Sequence, residues 1–153
     1  MTDKLEKRPR VAVRAIIVQD GRLLLVNAWG GGRSDLLCAP GGGVDLHASL
    51  PDNLKREVRE ETGLEIAVGA VCLVNEFHAP GSDFHQVDIY FRCSVIRGTV
   101  DPGWVDPEGV VTERHWVTRA ELTKLRYKPD SLPDVAFGAP DAITYDALEP
   151  LVR

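Results

Sequence analysis

The chain has 153 residues, 44% of them hydrophobic and 27% charged, a globular composition long enough to bury a core without disulfide staples. Its formal net charge of −5 lacks the positive field that draws proteins onto nucleic-acid polymers, and its three cysteines, Cys38, Cys72 and Cys93, form neither a Cys-x-x-Cys pair nor a zinc-finger spacing. No apolar run reaches the roughly 18 residues of a membrane span and the charged opening lacks the apolar stretch of a signal peptide, so the expectation is a cytoplasmic protein of one domain, 1–153, with no membrane as partner.

Between residues 10 and 18, Val11, Val13, Ala15 and Ile17 recur at period two, and Asp20-Gly21 turns the chain into Leu23-Leu24-Leu25-Val26, which predicts a β-hairpin. Gly30-Gly31-Gly32 and Pro40-Gly41-Gly42-Gly43 read as loops on either side of the short apolar Leu36-Leu37-Cys38. A helix is predicted over 50–62, because Ser49 with Asp52 resembles a capping box, Pro51 is tolerated in a first turn and Gly63 supplies a left-handed stop. Segments 65–77 and 86–96, rich in Val, Ile, Phe and Tyr, predict two strands joined through Ala79-Pro80-Gly81-Ser82-Asp83. Next come a loop over 101–113, a short strand over 115–117 and a helix starting at Thr118 with Glu121 at its third position. The stretch 128–153 carries Pro129, Pro133 and Pro140 and is expected to be an irregular C-terminal segment packed on the domain, closing in a short helix from Asp141. This order predicts an α/β protein (mixed α+β) whose sheet is covered by helices.

The chemistry concentrates on the first helix. On a helical wheel Leu50, Leu54, Val58 and Thr62 face the core, while Glu57, Glu60 and Glu61 share a sector of about 100° that overlaps the edge of that apolar stripe. Like charges at this spacing repel, so a cation is needed. Two sources are open: the neighbouring Lys55, Arg56 and Arg59, which would make an ordinary charged face, or a hard divalent ion, for which converging carboxylates are the expected ligands.

Gly42, followed after thirteen residues by Arg56-Glu57-Val58-Arg59-Glu60-Glu61-Thr62-Gly63-Leu64, resembles the Nudix box, G-x5-E-x7-R-E-U-x-E-E-x-G-U with U aliphatic, at eight of nine specified positions over 42–64. The departure is Ala48, where the family has a glutamate; Arg56 thereby lacks its usual partner, and Asp45 and His47 are the nearby substitutes. Pro80, sixteen residues past Leu64, resembles the proline of the ADP-ribose-cleaving branch, although His85 stands where that branch often has an acid.

The resemblance, to a MutT-like Nudix hydrolase, implies an α/β/α sandwich with a mixed central β-sheet. It also implies hydrolysis of a diphosphate linkage in a small nucleoside diphosphate derivative, ADP-ribose or an ADP-sugar first, with Mg²⁺ or Mn²⁺ and an activated water. By the same resemblance Glu57, Glu60 and Glu61 are the metal ligands, and Arg56, Glu57, Glu60 and Glu108 form the catalytic set, Glu108 being favoured over Glu113 as the distal acid. Gly41, Gly42 and Gly43 would bring backbone close to a metal-bound phosphate, with Arg33, Phe77 and Pro80 as further substrate contacts. Trp29, His78 and Phe84 are candidates to stack on a base, and Arg92 to touch phosphate. The alternatives are a nucleotide-binding or regulatory domain with little catalysis because of Ala48, and a nucleoside triphosphate pyrophosphohydrolase. Members of this fold often dimerise, which leaves a homodimer open.

Overall fold

Asp20 and Gly21 take φ values of 51° and 72°, the left-handed pair that a two-residue turn needs to match the twist of its strands. They join β1 (Arg10–Gln19) to β2 (Arg22–Asn27) in the computed structural model, which describes residues 7–153. The remaining strands are β3 (Leu37–Cys38), β4 (Gly41–Gly43), β5 (Glu65–His78), β6 (His85–Arg97), β7 (Arg114–Thr118), β8 (Thr144–Tyr145) and β9 (Glu149–Pro150). The helices are α1 (Leu50–Thr62), α2 (Arg119–Leu122) and α3 (Leu132–Phe137). The sheet order is β3-β2-β1-β6-β5-β8, with β4 also on β1, β7 on β2 and β9 on β5. It is mixed, because β1 runs parallel to β6 and β6 antiparallel to β5.

Strand alternation divides the core in two. Val13, Ala15, Ile17 and Leu24 pack under Leu54 and Val58 of α1, whereas Ile16, Leu23 and Leu25 pack against Leu122 of α2 and Leu132 and Val135 of α3. The result is an α/β/α sandwich. Burying a Leu or Val contributes about 1.5–3 kcal/mol, so the fully buried Leu54 and Val58 fix the rotation of α1 about its axis. That rotation turns the flank bearing Glu57 and Glu61 towards β4. The ends of α1 are closed as expected: Ser49 Oγ accepts the Asp52 N–H at 3.1 Å, and Gly63 sits at φ 77°. Its last carbonyls find donors outside the helix, Trp104 Nε1 to Glu60 O at 2.8 Å and Arg114 Nε to Glu61 O at 2.6 Å. Among the described residues no helix is long and apolar enough to cross a membrane.

Two segments depart from the expectations. Gly41–Gly43, read as a loop, pairs with β1 as β4, with Val13 opposite Gly42. Glycine is poor in strands, but here the absence of side chains is what lets a helix lie against the strand's backbone. The C-terminal stretch 128–153 is more ordered than an irregular segment. Its helix is α3, begun at Leu132-Pro133 with proline in the first turn, and no helix forms from Asp141. The β-branched and aromatic Thr144 and Tyr145 instead add a strand to the edge of β5, and Glu149–Pro150 does so further along.

Candidate active site

Glu57 and Glu61 are only 7% and 8% exposed, and both lie against β4. The Gly41 N–H donates to Glu61 Oε2 at 3.2 Å, and a Cβ on Gly42 would stand 2.6 Å from Glu57 Oε2. Gly41 is more constrained still: it sits at φ 153° with the backbone of Val13 where a side chain would go, so substitution there would lift β4 off β1. At Gly42 the obstacle is only the movable end of Glu57. Gly42→Ala is therefore expected to leave the melting temperature within a few degrees while lowering kcat on whatever substrate is turned over by tenfold or more, read by thermal melts and steady-state kinetics together.

The two carboxylates face a cavity of about 470 Å³ whose other walls include Arg10, Arg14, Asp45, Arg56, Asp106 and Glu108. Burial pushes the Glu57 carboxyl above its ordinary range, against the pull of Arg56, and the charges of Glu108 and Glu60 push the same way. Burial also raises Glu61, from 4.5 to about 8, despite Arg14 and the Gly41 N–H. The folded chain thus keeps a proton on Glu61 that the unfolded chain releases above about pH 4.5. Its contribution to stability is full below that pH and is lost as pH rises towards 8, a change of up to about 5 kcal/mol. Melts in EDTA between pH 5 and 9 should show this decline, and Glu61→Gln should flatten it.

Among the described residues no three His, Cys, Asp or Glu side chains already converge as a metal cluster. The donor set nonetheless suits a hard divalent ion: carboxylates only, with Glu57, Glu61 and Glu108 around one cavity and the first two desolvated and mutually repelling. Glu60 stands outside that cavity, its side chain 30% exposed and 3.4 Å from Arg56.

Arg56 is held from four sides. Nη2 reaches Asp45 Oδ2 at 3.2 Å and Asn53 Oδ1 at 3.1 Å, and Nη1 reaches Glu57 Oε1 at 3.1 Å besides Glu60. Asp45 thus pairs with the arginine in the absence of a glutamate at position 48, while His47, exposed at φ 69°, is not among its partners. The distal loop is organised by Asp106, 5% exposed, whose carboxylate accepts the N–H groups of Glu108 at 3.0 Å, Val110 at 3.2 Å and Val111 at 2.9 Å. This turn sets Glu108 on the cavity wall, whereas Glu113 lies off it, 3.8 Å from His115.

A second cavity, about 240 Å³, shares Arg10, Arg14 and Cys38 with the first and is walled by Trp29, Phe77, Phe84 and Tyr90. Of the residues expected from sequence to contact substrate, Gly41, Gly42, Gly43, Phe77, Trp29 and Phe84 line these two adjoining cavities. Arg33 and Pro80 are exposed and line neither cavity, and neither does His78. Arg92 donates to the carbonyls of Val135 at 2.7 Å and of Ala139 and Ala142 at 3.2 Å, which ties down the segment after α3.

Set beside known proteins, residues 8–135 match the profile of the NUDIX domain. The chain belongs to the NUDIX family. This NUDIX domain is 31% identical over 102 residues to an ADP-ribose pyrophosphatase of Methanocaldococcus jannaschii, a match covering 65% of this chain and 59% of that one. It is 26% identical over 98 residues to YjhB of Bacillus subtilis, covering 62% and 46%. It therefore spans about half the length of these curated relatives. A NUDIX hydrolase from Nitrosomonas europaea shares the fold, with a TM-score of 0.70 at 22% identity, covering 84% of this chain and 86% of that one.

Three residues of this NUDIX site were not singled out from sequence. Arg10 and Arg14 lie four apart on β1, in the phase opposite to the apolar alternation, so both project to the face that carries the cleft. Two arginines in the polar phase of a largely buried strand are a readable signal. Asn27, 4% exposed, ends β2, and nothing in its neighbours marks it.

Proposed function

We propose that this NUDIX domain hydrolyses a diphosphate linkage in a small nucleoside diphosphate derivative, with ADP-ribose or an ADP-sugar as first substrate class and Mg²⁺ or Mn²⁺ as cofactor. The observation that carries the reading is the pair of buried carboxylates, Glu57 and Glu61, in a cavity that continues past two arginines into an aromatic one. Glu57 and Glu61 would hold the ion, which when bound neutralises phosphate charge and lowers the pKa of a water, while Glu60, expected from sequence as a third ligand, stands outside the cavity beside Arg56. Arg10 and Arg14 grip the phosphates between the two cavities. Arg14 is aimed from behind by Asp88, whose Oδ2 lies 3.6 Å from the buried Nε. Gly41, Gly42 and Gly43 let the diphosphate approach backbone. Arg56 fixes the orientation of Glu57, and Glu108 takes the proton of the attacking water. Water adds across the P–O–P bond, so ADP-ribose would yield AMP and ribose 5-phosphate.

The name of the archaeal relative supports ADP-ribose as the first choice. The Asp45–Arg56 pair supports catalysis over the silent binding domain that Ala48 suggests, because the arginine keeps an acidic partner. The test is product release from ADP-ribose, other ADP- and UDP-sugars, dinucleoside polyphosphates and nucleoside triphosphates, with Mg²⁺ or Mn²⁺ and an EDTA control. Metal-dependent release from the ADP-sugar class is expected. No release from any class, with nucleotide still raising the melting temperature, would replace the hydrolase by a binding domain.

A further inference from the structure

We propose that the second cavity is a nucleobase site that reads an exocyclic amino group, selecting an amino-bearing base over its oxo counterpart. The inference rests on the proposed cleavage of a nucleoside diphosphate derivative and names which nucleosides qualify.

The cavity is walled by aromatic rings. Phe77 and Phe84 stand on β5 and just before β6 with ring centroids 5.7 Å apart, and Trp29 faces the same space. Trp29 is held in place: its indole N–H donates to Val152 O at 3.2 Å and the Arg153 guanidinium lies 5.1 Å from its ring centre. Aromatic rings held this way offer stacking that any base can use. Selection must come from the polar floor.

That floor is Asn75, Gln86 and Asp88, all 3–4% exposed and all on one face of the β5–β6 ladder, where Asn75 is opposite Asp88 and Phe77 opposite Gln86. Buried amides are costly unless paired, and each of these two gives an N–H to a carboxylate. Gln86 Nε2 donates to Asp88 Oδ1 at 2.7 Å, and Asn75 Nδ2 donates to Asp146 Oδ2 at 3.1 Å. Asp146 is itself held, its Oδ2 accepting from Ser131 Oγ at 2.7 Å and its N–H donating to Val74 O at 2.9 Å. Turning either amide over would press its carbonyl oxygen against a carboxylate, so the orientation of both is fixed. Gln86 Oε1 and Asn75 Oδ1 therefore remain as acceptors in the wall of the cavity, each beside the second N–H of its own amide. Glu149 adds a carboxylate to the same wall, 3.6 Å from Lys128.

Arg10, Arg14 and Lys128 put donors elsewhere on this lining, but the two fixed amide oxygens ask for donors at the floor. An exocyclic amine brings two N–H groups, while a carbonyl in its place sets oxygen against oxygen and leaves the buried acceptors unpaired, the situation in which sites discriminate most strongly. The decisive comparison is ADP-ribose against IDP-ribose, which differ at one edge of the base: a 6-amino group beside a bare N1 in the first, a 6-oxo group beside an N1–H in the second. The wild type is expected to favour ADP-ribose by tenfold or more in kcat/KM. Gln86→Leu, or Asp88→Asn, which lets Gln86 turn over, should bring that ratio towards one. Calorimetric binding of AMP and IMP reads the same preference without turnover. Equal treatment of the two nucleosides by the wild type would overturn this inference and leave the hydrolase standing. No hydrolysis of either, with AMP still bound tenfold more tightly than IMP, would remove ADP-ribose as the substrate and leave this inference standing.

Discussion

Glu57→Gln and Glu61→Gln are each expected to lower kcat by about 10³-fold with the fold intact. Glutamine preserves the volume of each side chain and, at position 61, an oxygen for the Gly41 N–H, but removes the negative charge that a divalent ion needs. Losing a group that stabilises charge in the transition state typically costs 10²–10³-fold, and both carboxylates face the one cavity where that charge would gather. Stability should move the other way. A buried carboxyl raised to about 8 is a strained ionisation at alkaline pH, so Glu61→Gln in EDTA should melt at or above the wild-type temperature there. Mg²⁺ is expected to raise the melting temperature of the wild type, and the same variants should lose that rise. A double variant as active as the wild type would remove the metal reading altogether. Glu60→Gln, with its side chain outside the cavity beside Arg56, should cost about tenfold at most.

The reason α1 was legible in advance is that its signals are local. Ser49, Pro51 and Gly63 each act within a turn of their own position, and the apolar spacing of Leu54 and Val58 determines which carboxylates are dragged towards the core. The hairpin was legible for the same reason, through Asp20-Gly21. What escaped depends on partners far away in sequence. Three glycines carry no pattern, so β4 becomes a strand only because β1 and α1 approach it from both sides. β8 and β9 are two-residue strands that exist because the edge of β5 has free backbone groups. Within the site, the box acids announced themselves by spacing, whereas Asp45 was one of two candidates until the position of Arg56 chose between them. Pro80 was placed by its distance from Leu64 along the chain, and that distance does not survive folding: it is exposed and, like Arg33, lines neither cavity.

Asn27 shows how much of such a site can rest on a residue with no motif, and Asn27→Ala is expected to lower kcat about 10²-fold while changing KM by less than threefold. Its Nδ2 donates to Trp29 O at 2.9 Å and Val110 O at 2.8 Å, and its Oδ1 accepts the N–H groups of Thr112 at 2.9 Å and Glu113 at 3.0 Å. One buried amide thereby joins the end of β2, the wall of the aromatic cavity and the loop that carries Glu108. Asp106 shapes that loop from within, while Asn27 ties it to the end of β2 and Arg114 of β7 adds a bond to Val111 O at 3.3 Å. Each neutral bond contributes about 1 kcal/mol to stability, so some loss of melting temperature is expected whatever the role. The distinguishing measurement is a double-variant cycle. If Asn27 acts by holding Glu108 at the cavity, Asn27→Ala should cost almost nothing further in a Glu108→Gln background, whereas a general loosening of the fold would multiply the two losses. Asn27→Asp keeps the acceptors for Thr112 and Glu113 and gives up the donors to Trp29 and Val110, so it should recover part of kcat. Multiplying losses, or no recovery by aspartate, would reduce Asn27 to a stabilising clamp and leave the placement of Glu108 to Asp106 alone.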